Sequence, residues 1–439
     1  MKYIQLSIIL LILSMLKAGA QNTDTLKNDR FSVHAQTTII NQFKPAFNAN
    51  YSAEHSLIAQ KESKTSITST LFLGVRLWKG AQFFVNPEIA GGSGLSEALG
   101  VAAAPNGETF RVGDPAPKIY LARIFYKQIF SLSKETSYQE NDLNQLGGRL
   151  PAKYISFTIG KIGVADYFDN NSYSHDPRTQ FMSWALMSNG AWDYPANTRG
   201  YTPSFVLTYV NPKNELRYDI SQVPLTANGN DMNSDVIKAN SQTIEYTRKQ
   251  CMLKKKGIIR VLGFFTTANM GSYTQSIALS PVNPLIEDTR QYGRSKYGIA
   301  INAEQELNSY IGCFFKVGWN DGNNETWMFT EIDRSASLGF VINGKKWKRK
   351  NDNLGIAYVI SGLSKPHQNY LAAGGEGFML GDGALNYSPE HLLELYYSFE
   401  LVKEHLFLSG AYQLLMNPGY NSDRQGPINI FSVRLHAGI

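Results

Sequence analysis

The sequence predicts an all-β fold: a transmembrane antiparallel β-barrel of about sixteen strands with long extracellular loops folding into the lumen. Three observations predict it. Apolar and polar residues alternate with a period of two in one segment after another. The connections between these segments are alternately very short and long. Beyond the extreme N-terminus there is no apolar run of about eighteen residues, the length a membrane-crossing helix needs.

Residues 1–20 have a basic start at Lys2, an apolar run from Leu6 to Leu16 and the small residues Ala18, Gly19 and Ala20. That order predicts a secretory signal peptide cleaved after Ala20, leaving 21–439 as one barrel domain. Cleavage removes Lys2 and Lys17 and lowers the formal charge from +6 to +4, too weak a bias for a nucleic-acid partner. About ten residues then precede Phe31, too few for a plug domain. Cys251 falls in a predicted turn and Cys313 on a predicted lipid-facing strand, so no disulfide is expected.

The strands follow from the alternation. Leu71, Leu73, Val75 and Leu77 share one face, opposite Phe72, Gly74 and Arg76. Past a turn at Lys79 and Gly80, Phe83, Val85 and Ile89 face one way and Gln82, Asn86 and Glu88 the other. The same reading places strand centres near residues 35, 72, 85, 124, 157, 206, 218, 245, 262, 298, 314, 337, 356, 396, 410 and 434. Lys79-Gly80, Asn211 to Asn214, Leu307 to Ser309 and Val402 to Glu404 read as periplasmic turns. Segments 42–65, 91–117, 162–202, 269–291 and 362–389 read as extracellular loops. Segment 134–152 is too long for a periplasmic turn and suggests a short helix. The basic runs Lys254 to Lys256 and Lys345 to Lys350 read as solvated turns.

A sheet in lipid must pair all its backbone groups, so the strands close, and sixteen of them enclose a water-filled lumen. Tyr126, Tyr209, Tyr310, Trp319 and Trp347 are candidates for the interfacial girdles. Outer-membrane lipids and the outer-membrane assembly machinery are the implied partners. A homo-oligomer stays open, because lipid-facing and subunit-facing apolar residues look alike.

Metal-ligand spacing, nucleotide-binding loops and nucleophile motifs are all missing, and the seven histidines are scattered. The chain therefore reads as no enzyme and needs no cofactor; Ser432 and His436, the nearest Ser-His pair, read as lumen-facing polar residues. Inward charged groups and aromatic rings suit a sugar, which offers hydroxyl edges and apolar C–H faces. Arg76 and Glu88, inward on one hairpin, are expected to pair and to bind hydroxyls. The loop from Gly163 to Gly200 holds Trp184, Trp192, Asp193, Tyr194 and Arg199, with a short helix expected through Phe181 to Met187. Its two tryptophans either contact sugar or pack the loop against the wall.

Several long motifs resemble the carbohydrate-selective porin family, often called the OprB type. They are GGSGLSEALG and PNGETFRVG within Gly91 to Gly113, KIYLAR from Lys118, DYFDNNSYSHDPRTQF from Asp166 and NGAWDYPANTRGY from Asn189. GDGALNY from Gly381 and NPGYNSDR from Asn417 complete the set. The resemblance covers most of the mature chain. It implies an outer-membrane barrel whose inward loops restrict diffusion, with Arg111, Arg123, Trp184, Trp192 and Asp193 at the constriction. One departure is the last residue, Ile439, where such barrels usually carry an aromatic. The expected function is passive diffusion of mono- or small oligosaccharides; the alternative is a general or carboxylate-type diffusion porin.

Overall fold

The structure, a computed structural model, describes residues 28–109, 116–252 and 254–439. The expected signal peptide and Arg111 lie outside these residues. Among the described residues the strands are β1 (Phe31–Lys44), β2 (Glu62–Trp78), β3 (Ala81–Gly92), β4 (Lys118–Ser131), β5 (Thr136–Gln139), β6 (Gly148–Pro151), β7 (Tyr154–Ile162), β8 (Thr202–Val210) and β9 (Asn214–Ser221). They continue as β10 (Asn240–Met252), β11 (Lys255–Met270), β12 (Gln291–Glu306), β13 (Ile311–Asn320), β14 (Arg334–Gly344), β15 (Arg349–Gly362), β16 (Glu390–Val402), β17 (Leu406–Met416) and β18 (Ile428–Gly438). Short helices α1 (Trp184–Met187), α2 (Tyr273–Leu279) and α3 (Lys365–Ala372) lie in the loops.

Sixteen strands form one closed antiparallel barrel, and β5 and β6 form a separate two-stranded sheet. Each of the sixteen expected centres falls inside its observed strand. The barrel seals where β1 pairs with β18, from Gln36 opposite Gly438 to Phe43 opposite Phe431. Closure leaves no unpaired edge for lipid to contact. Loops L1 to L8 follow β1, β3, β7, β9, β11, β13, β15 and β17 at one rim, and the short turns lie at the other.

The polarity of the wall is inverted relative to a water-soluble barrel. Leu71, Leu73 and Leu77 point outward with large exposed surfaces, as do Phe315, Leu395 and Val433. Inward positions hold Glu88 on the neighbouring β3 and, on the same strands, Lys316, Glu394 and Arg434, each at most 2% exposed. Tyr126 and Trp78 meet at 6.1 Å near the short-turn rim, and Trp347 and Tyr397 at 6.4 Å. Trp319 lies near the loop rim beside Tyr297 at 5.9 Å.

The core is therefore inside the barrel, where loops fill much of the bore. Phe181 packs edge-on against Tyr396 and Phe314 of the wall, at 4.9 and 5.7 Å between ring centres. Trp192, Trp327 and Phe168 form a second buried cluster with Phe84, Phe125 and Phe264. Two expectations need correction. Segment 134–152 carries no helix but the β5–β6 hairpin, in which Thr136 pairs with Pro151 and Gln139 with Gly148. Cys251 belongs to the end of β10 rather than to a turn; it and Cys313 are both free, as expected.

Candidate functional site

Three adjacent strands put Thr70, Glu88 and Tyr120 in one row, since Thr70 lies opposite Glu88 and Glu88 opposite Tyr120. Inward side chains in one row meet. The Glu88 carboxylate, buried, accepts from Thr70 Oγ1 at 2.5 Å, from the Tyr120 hydroxyl, and from the Tyr201 hydroxyl at 2.9 Å. L3 adds Arg178, whose Nη2 lies 3.4 Å from Glu88 and whose Nε donates to Glu108 of L2 at 2.7 Å. Burial opposes the charge on Arg178, but Glu108, Glu88 and Tyr201 outweigh it and hold the guanidinium well above its ordinary range. One arginine thus ties two loops to the wall.

A second arginine stands beside the first. Arg123 grips Asp166 with two parallel bonds, Nε at 2.6 Å and Nη2 at 2.7 Å, and lies 4.9 Å over the Tyr201 ring. Its Nη1 is buried and has no hydrogen-bond partner among the described residues. Arg199 lies 4.2 Å over the Tyr120 ring, and Tyr120 and Tyr201 are 6.2 Å apart. Arg123, Asp166, Arg199 and Tyr201 border a cavity of about 610 Å³ that also takes in Lys127, Trp184 and Tyr194. Trp184 and Thr198 further border a small recess of about 20 Å³ on the loop side, with Ala102, Ala104 and Phe329. Trp184 thus borders both spaces.

L2 and L3 hold this shape as a unit. Trp184 N donates to Ala104 O at 3.0 Å, Gly107 N to Met182 O at 2.7 Å, and Ser183 Oγ to Ala103 O at 2.7 Å. Carboxylates of the far wall accept from loop backbone N–H groups: Glu394 from Met182 and Ser183 at 2.6 and 3.0 Å, and Glu390 from Ala102 and Ala103 at 3.0 and 2.7 Å. Lys316 and Arg434 donate to L3 carbonyls, Lys316 to Ser174 at 2.8 Å and Arg434 to Gln180 at 2.6 Å. L3 therefore spans the bore and is fastened on both sides.

Of the expected site residues, Arg123 and Trp184 border this cavity, and Glu88 bonds the Tyr201 and Arg178 side chains that line it. The others do not. Trp192 is fully buried against Phe168 and Tyr194, which is packing. Asp193 is also buried and holds the backbone of L6. Arg76 does not pair with Glu88: Arg76 lies opposite Gln82, six residues along β2 from Thr70. At about 3.3 Å per residue that is about 20 Å. The same parity puts both side chains inward but says nothing of their separation. Sequence reasoning missed Arg178, Tyr201, Tyr120, Glu108 and Asp166. Strand pairing could have found Tyr120, and Arg178 and Tyr201 lie inside the motifs DYFDNNSYSHDPRTQF and NGAWDYPANTRGY.

The fold has solved counterparts. The high-pH structure of OprB from Pseudomonas putida superposes with a TM-score of 0.71 at 14% identity, covering 93% of this chain and 94% of that one. The low-pH structure of the same protein gives 0.51 at 11% identity, over 93% of each chain. The outer-membrane channel DcaP of Acinetobacter baumannii gives 0.50 at 8% identity, over 96% and 99%. At such identities the likeness concerns the fold alone. No curated protein matches the sequence. The family described as carbohydrate-selective porin, OprB family, matches residues 54–438. With that match over most of its length, the chain belongs to the OprB family of outer-membrane porins.

Proposed function

We propose that this porin passes mono- or small oligosaccharides by passive diffusion, with weak binding beside Trp184 in the arginine-tyrosine cavity. The observation that carries the reading is the pairing of guanidinium planes with phenol rings: Arg123 over Tyr201 and Arg199 over Tyr120. Arg199 and the remaining Nη1 of Arg123 offer donors for hydroxyls, and Tyr201 an apolar ring for sugar C–H groups. The charge of Arg178 and Arg123 is matched by Glu88, Glu108 and Asp166, so the cavity favours polar neutral solutes over one sign of ion. Binding must stay weak, because a solute has to leave as readily as it enters.

One observation favours a carboxylate solute. Arg199 and Lys127 border the cavity, and no carboxylate of the described residues is within ion-pair distance of either. Single-channel conductance in planar bilayers, titrated with neutral sugars and separately with small carboxylates, decides between the two. Saturable block by a sugar is expected, weakened about tenfold in Arg199→Ala, the loss of one charge-assisted hydrogen bond. Block by carboxylates alone would sink the sugar reading.

A further inference from the structure

The cavity has a floor. Between β4 and β7, where two residues would reverse the chain, the β5–β6 hairpin turns into the barrel from the short-turn rim. Asp142, Asn144 and Gln145 at its tip border the same cavity as Arg123 and Arg178. Leu146 beside them is buried in the cluster containing Phe84 and Phe125 of the wall. Asn144 is held at a left-handed φ of 53°, with a buried side-chain oxygen that has no hydrogen-bond partner among the described residues.

A lone two-stranded hairpin is marginal in water, so its position must come from what it touches. Arg76 supplies the central contacts. Its Nε donates to Asp29 O at 2.9 Å and its Nη2 to Gly147 O at 3.0 Å, while Asp29 N donates to the same Gly147 O at 3.0 Å. Asn141 adds a second fastening: its Nδ2 donates to Asp29 Oδ2 at 2.8 Å, and its Oδ1 accepts from Ser32 Oγ at 2.6 Å and lies 2.9 Å from His34 Nε2. Asn28 Oδ1 accepts from Arg149 N at 2.8 Å. The hairpin, the segment before β1 and the wall are thus knotted together at Arg76.

We propose that this hairpin is a second, periplasmic selectivity element, that hydroxylated solutes leaving the cavity pass along Asp142, Asn144 and Gln145, and that Arg76 is the residue that positions it. The inference rests on solute passage through the central cavity. It gives Arg76 a role about 20 Å along the strand from Thr70 and its partner Glu88, where β-strand rise places it.

The test compares ion conductance in potassium chloride, and size exclusion by liposome swelling with sugars of increasing length, for four proteins: wild type, Arg76→Ala, Arg76→Lys, and a variant with residues 140–147 replaced by two glycines. Each is first shown to be folded by heat-modifiable migration on gels. The replacement and Arg76→Ala are expected to raise conductance two- to threefold and admit longer sugars, with Arg76→Lys between them and wild type. Wild-type conductance in the folded replacement variant overturns the selectivity element, and wild-type conductance in Arg76→Ala alone overturns the positioning role of Arg76. Absence of sugar block in wild type would count against the sugar reading of the cavity and leaves the conductance comparison intact.

Discussion

Asp193 accepts from the backbone N–H groups of four successive L6 residues, Trp327, Met328, Phe329 and Thr330, at 2.8 to 3.4 Å. Four buried donors with one acceptor between them leave no room for a neutral substitute, since each unsatisfied group carries a desolvation penalty of about 1–3 kcal/mol. Asp193→Asn keeps the shape but halves the accepting capacity and brings a donor towards other donors. It is expected to weaken L6 docking by about 3 kcal/mol. Limited proteolysis should then cut within 321–333 in the variant and spare wild type, while the sugar blocking constant barely moves; a shifted blocking constant with uncut L6 would return Asp193 to the solute path. Gly318 shows the same tight fit from the wall side. A Cβ there would collide with the Asn189 side chain, which is anchored by donation to Val317 O at 2.9 Å. These roles were invisible in the sequence because a carboxylate that binds solute and one that binds a loop are the same residue type on the same loop.

Among the loops, L6 and L7 are joined by one charged node. Asp333 Oδ2 accepts from Ser364 N at 2.9 Å and lies 3.0 Å from His367 Nδ1, while Oδ1 lies 3.5 Å from Lys296 Nζ. His367 stacks on Tyr273 at 4.2 Å, joining α3 to α2. Burial alone would raise the Asp333 pKa, but Lys296 and then His367 outweigh it and hold the carboxyl well below its ordinary 3.8. A depressed carboxyl contributes stability above its unfolded pKa and loses it as pH falls through the folded value. Asp333→Asn should therefore melt below wild type at pH 7, with the gap closing as pH drops beneath about 3.8. A gap that persists unchanged into strong acid would show the node to be a packing contact rather than an ion pair. At this scale the strands were legible because one residue of offset flips every side chain between lipid and lumen, which writes the pattern into local sequence. Loop docking was not, because its partners are remote: Arg178 meets Glu108 70 positions away and Glu88 90 positions away. The hairpin reads as a helix in the sequence because length alone, without periodicity, has to decide it.

For the whole molecule the decisive bond is the β1–β18 seam, which joins the two ends of the sheet. Deleting residues 428–439 removes this seam and leaves β1 and β17 as open edges, which lipid does not tolerate. The truncated chain should fail to show the heat-modifiable migration of a closed barrel; a truncation that still migrates as folded would mean a fifteen-strand closure. The seam also bears on how the filter comes into being. L3 emerges after β7, yet its fastenings include Glu304 of β12, Lys316 of β13, Glu394 of β16 and Arg434 of β18. The last of these anchors exists only once the final strand has docked. Sieving and sealing are therefore coupled: a barrel caught with its last strand undocked would hold a filter lacking one of its anchors, and faulty assembly would show itself to the cell as leakiness before any strand is lost.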